Sequence, residues 1–139
     1  MPSIGPRRLA GIASRDEMKT VIVAAGLTFD QGKLLVTQRK KDSSHGLLWE
    51  FPGGKVMEGE EPREALRREL KEELGIEVEV GKIFEAVFYT YPEHPLLLLV
   101  YRCRIEKGTL KCLGCADLRW VHLDELKRLA MPPADDPIR

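Results

Sequence analysis

Between Gly54 and Ile76 the chain reads GKVMEGEEPREALRRELKEELGI, and this stretch fixes one helix before anything else. Pro62 suits a first helical turn and Gly75 suits the residue just past the end, so the helix is expected over Pro62 to Leu74. At about 100° per residue, Leu66, Leu70 and Leu74 fall within an arc of about 80°, a stripe for a core. Glu69, Glu72 and Glu73 occupy a neighbouring arc of about 100°, with small Ala65 among them. Arg63, Arg67 and Lys71 take the remaining, solvated side. A surface helix laced by ion pairs accounts for Arg67 and Lys71. It does not account for Glu69 and Glu73, like charges four residues apart that cost a few tenths of a kcal/mol. A hard cation such as Mg²⁺, held by carboxylates together with substrate phosphates, would turn that cost into a gain.

The same residues resemble the Nudix box: Gly, five residues, Glu, seven residues, Arg-Glu, an aliphatic, any residue, Glu-Glu, any residue, Gly, an aliphatic. Gly54, Glu60, Arg68, Glu69, Leu70, Glu72, Glu73, Gly75 and Ile76 fill every fixed position. Nine matches in 23 residues leave little room for chance. The segments Trp49-Glu50-Phe51-Pro52-Gly53-Gly54-Lys55 and Pro132-Pro133-Ala134-Asp135 resemble the MutT-like branch, and the likeness runs from Lys19 to Ile138.

The remaining sequence is compatible with that reading. At 139 residues the chain suits one domain, expected over 18–139 behind a flexible extension over 1–17. That extension lacks the apolar block of a secretory signal, so a cytoplasmic protein is expected. With 22 basic and 22 acidic residues, no overall field favours a nucleic acid polymer or an anionic membrane. No apolar run approaches the roughly 20 residues of a membrane span. Three cysteines make a disulfide scaffold unattractive. Cys112-x-x-Cys115 with Cys103 invites zinc, but a fourth ligand would have to come from His94 or His122, and Cys103 fits a buried strand position better.

Strands are expected near Lys19 to Phe29 and Lys33 to Gln38 around the turn Asp30-Gln31-Gly32, then near Glu77 to Tyr91, Leu96 to Glu106 and Leu118 to Val121. A second helix is expected around Asp124 to Ala130, and the tail MPPADDPIR reads as the start of a third. Strands mixed with two or three helices suggest an α/β/α sandwich. The resemblance implies the same class, a mixed sheet between helices.

The resemblance further implies hydrolysis of a phosphoanhydride, a nucleoside triphosphate giving monophosphate and pyrophosphate, with Mg²⁺ as cofactor and Mn²⁺ able to replace it. The implied metal ligands are Glu69, Glu72, Glu73 and the carbonyl of Gly53. Glu69 is the expected base, and Glu60 pairs with Arg68 to complete the catalytic set. Arg39 and Lys55 are candidates to grip phosphate or base, or are plain surface charges. Relatives often carry a metal-binding Glu six residues before the Trp-Val matching Trp120-Val121. Here Gly114 stands there, and Asp117 is the nearest acid. In the MutT branch an Asn in the proline-rich tail reads the base; here Asp135 takes its place. An ionised Asp only accepts hydrogen bonds, which favours the amine of cytosine or adenine. A protonated Asp135 would suit 8-oxo-dGTP, and a third reading makes Asp135 a mere helix cap. Another nucleoside diphosphate derivative, or a weakly catalytic nucleotide-binding module, stays open as an alternative. The expected assembly is a monomer or weak dimer.

Overall fold

In the computed structural model, which describes residues 19–138, seven strands form a mixed sheet. The expected extension over 1–17 lies outside the described residues. In chain order the elements are β1 (Val21–Asp30), β2 (Lys33–Gln38), β3 (Trp49–Glu50), β4 (Gly53–Lys55), α1 (Pro62–Leu74), β5 (Glu77–Thr90), β6 (Pro95–Lys107), β7 (Asp117–Val121) and α2 (Leu123–Leu126), followed by a 3₁₀ turn at Pro133–Asp135. The sheet runs β3-β2-β1-β6-β5, with β4 also paired to β1 and β7 to β2. Only β1 and β6 run parallel, with Val23 beside Leu98 and Ala25 beside Val100.

Two-residue alternation along the strands feeds two separate apolar layers. On one face Ala24, Leu35, Ile76 and Tyr101 pack beneath Leu66, Leu70 and Leu74 of α1. These three leucines have no exposure at all, and each contributes about 1.5–3 kcal/mol relative to an exposed side chain. On the other face Leu34, Val36, Leu98 and Val100 pack with Leu126, Met131 and Ala134 from the C-terminal segment. The sheet is therefore covered on both sides, as a sandwich requires.

Helix α1 matches its sequence signals residue for residue. The Glu61 side chain accepts the Arg63 and Glu64 N–H groups, Pro62 follows, and Gly75 ends the helix at a φ of 71°. The C-terminal segment is less helical than its pattern suggests. Instead of Asp124 to Ala130, α2 is one turn over Leu123–Leu126. Beyond it the backbone bonds tighten to i→i−3, and the Ala130 carbonyl is taken by the Trp49 N–H at 2.8 Å. Pro132 and Pro133 then remove the donors a third helix would need, leaving only the 3₁₀ turn. Strands β3 and β4 were not expected; at two and three residues they are too short to leave a periodic signal. Among the described residues no helix is long and apolar enough to cross a membrane.

Candidate active site

A cleft of about 530 Å³ opens beside the C-terminal half of α1, within the usual size range of a small-molecule site. Its floor is apolar: Val23 and Ala25 from β1, Leu96 and Leu98 from β6. One end holds Gly53, Gly54, Lys55, Glu69 and Glu73. The other holds Tyr91, His94, Pro132, Ala134 and Asp135, with Arg39, His45 and Glu50 along the rim.

The acidic end is rigid for reasons of packing. Gly54 has no Cβ, and any Cβ there would collide with the Glu69 carboxyl group. Gly53 pairs with Ala25 in the β1–β4 ladder so closely that a Cβ would strike the Ala24 carbonyl. Arg68 braces the arrangement from outside. Its Nε and Nη2 grip both oxygens of Glu60 at 2.9 and 3.1 Å. Its Nη1 donates to Glu69 Oε2 at 2.9 Å, and Nη2 also reaches the Lys55 carbonyl at 3.1 Å. The Arg68 guanidinium and the Met57 N–H hold the Glu60 carboxyl below its ordinary range. The same contacts push the Arg68 guanidinium further up.

Glu73 behaves differently. Burial, followed by the charge and hydrogen bond of Glu69, pushes its carboxyl up to about 8, with Glu50 adding repulsion and Arg39 opposing it. At neutral pH the Glu69–Glu73 pair accordingly holds one proton between two carboxylates. That proton occupies the place a cation can take, and the donors are hard oxygens, so the pair fits Mg²⁺ or Mn²⁺. The arrangement is not a closed cage. Among the described residues no three His, Cys, Asp or Glu side chains converge closely enough to hold an ion. Glu72 faces away from the cleft, largely exposed, with Oε1 at 3.5 Å from Arg68.

Other sequence candidates fall into two groups. Arg39 and Lys55 both line the cleft. Arg39 is committed at its inner end: Nε donates to the Ser44 carbonyl at 2.6 Å and Nη1 to Glu50 at 3.1 Å. Asp135 is buried and lines the far end, in the last position of the 3₁₀ turn, whose N-cap is Pro132. The capping reading therefore does not describe its place. Asp117 lies outside the cleft lining. It accepts its own neighbour's N–H, from Leu118 at 2.8 Å, and pairs with Gln38 in the β2–β7 ladder. Gly114, by contrast, lies directly on α1: a Cβ there would be 3.0 Å from Glu73 Cγ, and its N–H donates to the Glu73 carbonyl at 3.1 Å.

Three cleft residues went unnoticed in the sequence. Glu50 is kept close to Glu73 by β3 and raised by burial, against the lowering pull of Arg39. Tyr91 and His45 meet with ring centroids 5.0 Å apart, and His94 lies 6.4 Å from the Tyr91 ring. The Tyr91 hydroxyl accepts the Ala134 N–H at 3.1 Å and so ties β5 to the turn carrying Asp135. Only the paired burial of Trp49 and Phe51 around Glu50 hinted at any of this.

The glycine-lined approach to paired carboxylates is the spatial form of the box, and the comparisons agree. The NUDIX domain family model matches residues 18–139. The chain belongs to the Nudix family. It is a Nudix hydrolase acting on phosphoanhydride bonds. It is 36% identical over 121 residues to the CTP pyrophosphohydrolase of Escherichia coli (strain K12), covering 87% of this chain and 90% of that relative. It is 30% identical to the 8-oxo-dGTP diphosphatase of the same organism, covering 87% and 95%. Among solved structures, the E. coli ORF135 protein matches with a TM-score of 0.75 at 35% identity, covering 88% and 87%. The MutT protein from Methanosarcina mazei Go1 matches at 0.77 and 25%, covering 85% and 88%.

Proposed function

We propose that this Nudix hydrolase is a Mg²⁺-dependent nucleoside triphosphate pyrophosphohydrolase that releases monophosphate and pyrophosphate, with a cytosine-type base preferred. The observation that carries the reading is the proton-sharing pair Glu69–Glu73 at one end of a nucleotide-sized cleft, with buried Asp135 at the other.

When bound, the divalent ion neutralises phosphate charge and makes a water easier to deprotonate. Glu69 and Glu73 would hold it, with the Gly53 carbonyl beside them. Glu72 would join by turning from Arg68, a surface contact worth at most about 1 kcal/mol. Glu69 accepts a proton from the attacking water as that water's oxygen bonds to phosphorus and the bridging P–O bond breaks. Arg68, clamped by Glu60, keeps Glu69 Oε2 fixed, so no orientation has to be found during the reaction. Lys55 and Arg39 add positive charge along the path of the phosphates. The apolar floor excludes water from the base. Asp135, ionised, accepts from an exocyclic amine, which selects cytosine over guanine. Such an enzyme would work on the cytoplasmic nucleotide pool, as a monomer or weak dimer, removing modified triphosphates before they enter DNA.

Relatives bearing both CTP and 8-oxo-dGTP in their names support the reaction and bracket the base. The test is a panel of CTP, dCTP, 5-substituted dCTP, dGTP and 8-oxo-dGTP, with products resolved by phosphorus NMR. Pyrophosphate from cytosine triphosphates at the highest kcat/KM is the expected result. Orthophosphate as first product, or turnover confined to a diphosphate-linked sugar or dinucleotide, would remove the reading.

A further inference from the structure

The C-x-x-C motif has no part in the cleft, yet the fold places it against the helix that carries Glu73. The segment between β6 and β7 supplies donors for the end of α1, whose last carbonyls have no partner within the helix. Lys111 N–H reaches the Leu74 carbonyl at 3.0 Å, and Leu113 and Gly114 N–H converge on the Glu73 carbonyl at 2.8 and 3.1 Å. Two residues later Ala116 N–H is fixed to the Gln38 carbonyl at 2.8 Å. Cys112 and Cys115 flank the contact with Glu73. Both are free thiols, Cys112 exposed and Cys115 half-buried against the α1 layer, and their side chains are hydrogen-bonded to each other. Gly114 between them leaves the segment no slack, because even a methyl group there would press the Glu73 side chain at 3.0 Å.

We propose that Cys112 and Cys115 are a modification site, forming a reversible intrachain disulfide whose closure shifts the segment on Glu73 and weakens divalent-cation binding. The oxidant is a hydroperoxide. The exposed Cys112 sulfur takes its terminal oxygen to become a sulfenic acid, and the peroxide leaves as an alcohol or water. The Cys115 sulfur then attacks Cys112, forming the S–S bond, and water departs with the thiol proton. Two electrons pass from the two sulfurs to the peroxide bond. A thiol pair returns the site to its reduced form by exchange. Cys103 takes no part: it is one residue of β6, and burial pushes its thiol up to about 12.

The disulfide stands on the thiol contact alone, whereas its effect on cation binding rests on the proposed role of Glu73. The experiment keeps the two apart. Full-length protein, reduced and then exposed to stoichiometric hydrogen peroxide, is followed by intact mass and by Mg²⁺ titration of its melting temperature. The expected mass change is a loss of about 2 Da, for two hydrogens, reversed by dithiothreitol and absent in Cys112→Ser. The expected Mg²⁺ midpoint rises about tenfold on oxidation, the low end for a disturbed ligand support, and stays fixed in Cys112→Ser. Absence of the mass loss, or cross-linking between copies in its place, overturns the disulfide. A disulfide that leaves the Mg²⁺ midpoint unchanged overturns the coupling. If the reduced protein shows no Mg²⁺ saturation, the role of Glu73 falls with the coupling, and the mass alone decides the disulfide.

Discussion

The two ends of the cleft are built by different means. The acidic end sits on one helix and two glycines. Its side chains are set by the fully buried leucine stripe beneath them and by Arg68 gripping Glu60 beside them. The far end is assembled from separate segments: Tyr91 from the end of β5, His45 from the loop before β3, and Asp135 from a three-residue turn. What joins it is one hydrogen bond from Ala134 to Tyr91 and a small cluster of rings. A helix presents charge in a fixed geometry, which chemistry at phosphorus needs. Turns can be exchanged without disturbing the core, so selectivity for the base can drift while the reaction stays.

The largest effect should come from the rigid end. Glu69→Gln and Glu73→Gln each keep the side-chain shape and remove the charge. Turnover should fall at least ~100-fold in each, the range for a lost base or charge stabiliser. Circular dichroism should be unchanged, because neither side chain belongs to the leucine stripe. Near-normal turnover in both would erase the contrast between the two ends.

At the loop-built end the expected change is in preference rather than rate. Asp135→Asn adds a donor where the carboxylate only accepts, so relative kcat/KM should move from cytosine triphosphates toward 8-oxo-dGTP. One buried hydrogen bond is worth about 1–3 kcal/mol, hence roughly ten- to a hundredfold. An unchanged substrate profile would leave Asp135 without a role in the base.

The shared proton gives a pH dependence of definite sign. In the metal-free fold the Glu73 carboxyl is raised to about 8, whereas in the unfolded chain it returns to about 4.3. Between those values the folded protein binds the extra proton, so its stability falls as pH rises and the loss is complete only above about 8. Melting temperatures without metal should therefore decline from pH 6 to 8. Glu73→Gln, which mimics the protonated form, should decline less and melt above wild type at pH 8. A flat or rising wild-type profile in that window would show that the carboxylates do not share a proton.

The smallest effect is expected outside the cleft. Asp117→Asn should change turnover less than about threefold, because its carboxylate serves the Leu118 N–H and points away from Glu73; shifting an acid three residues along a strand moves it roughly 10 Å. A collapse matching that of Glu69→Gln would mean that Asp117 has replaced the acid missing at Gly114.

What could be read from the sequence follows the same division. Helix α1 and its carboxylates were legible because period, N-terminal Pro62 and C-terminal Gly75 agree locally, with no help from the rest of the chain. The α/β class followed from strand alternation. The far end was not legible, since no local pattern says that His45, Tyr91 and Asp135 meet; strand pairing brings them together. The Asp124 to Ala130 helix was overextended for a related reason. Its amphipathic pattern is real, but a long-range bond from Trp49 and the two following prolines end it early. Glu50 was visible only as part of a motif, and its burial beside Arg39 and Glu73 belongs to the tertiary structure.

The central claim is that a divalent cation displaces the proton held by Glu69 and Glu73. Calorimetric titration of Mg²⁺ with a non-hydrolysable nucleoside triphosphate, at pH 7 in two buffers of different ionisation enthalpy, measures that exchange directly. Wild type should release about one proton per complex and Glu73→Gln close to none, because the amide has no proton to give up. Equal release from both proteins, or none from wild type, would contradict the account.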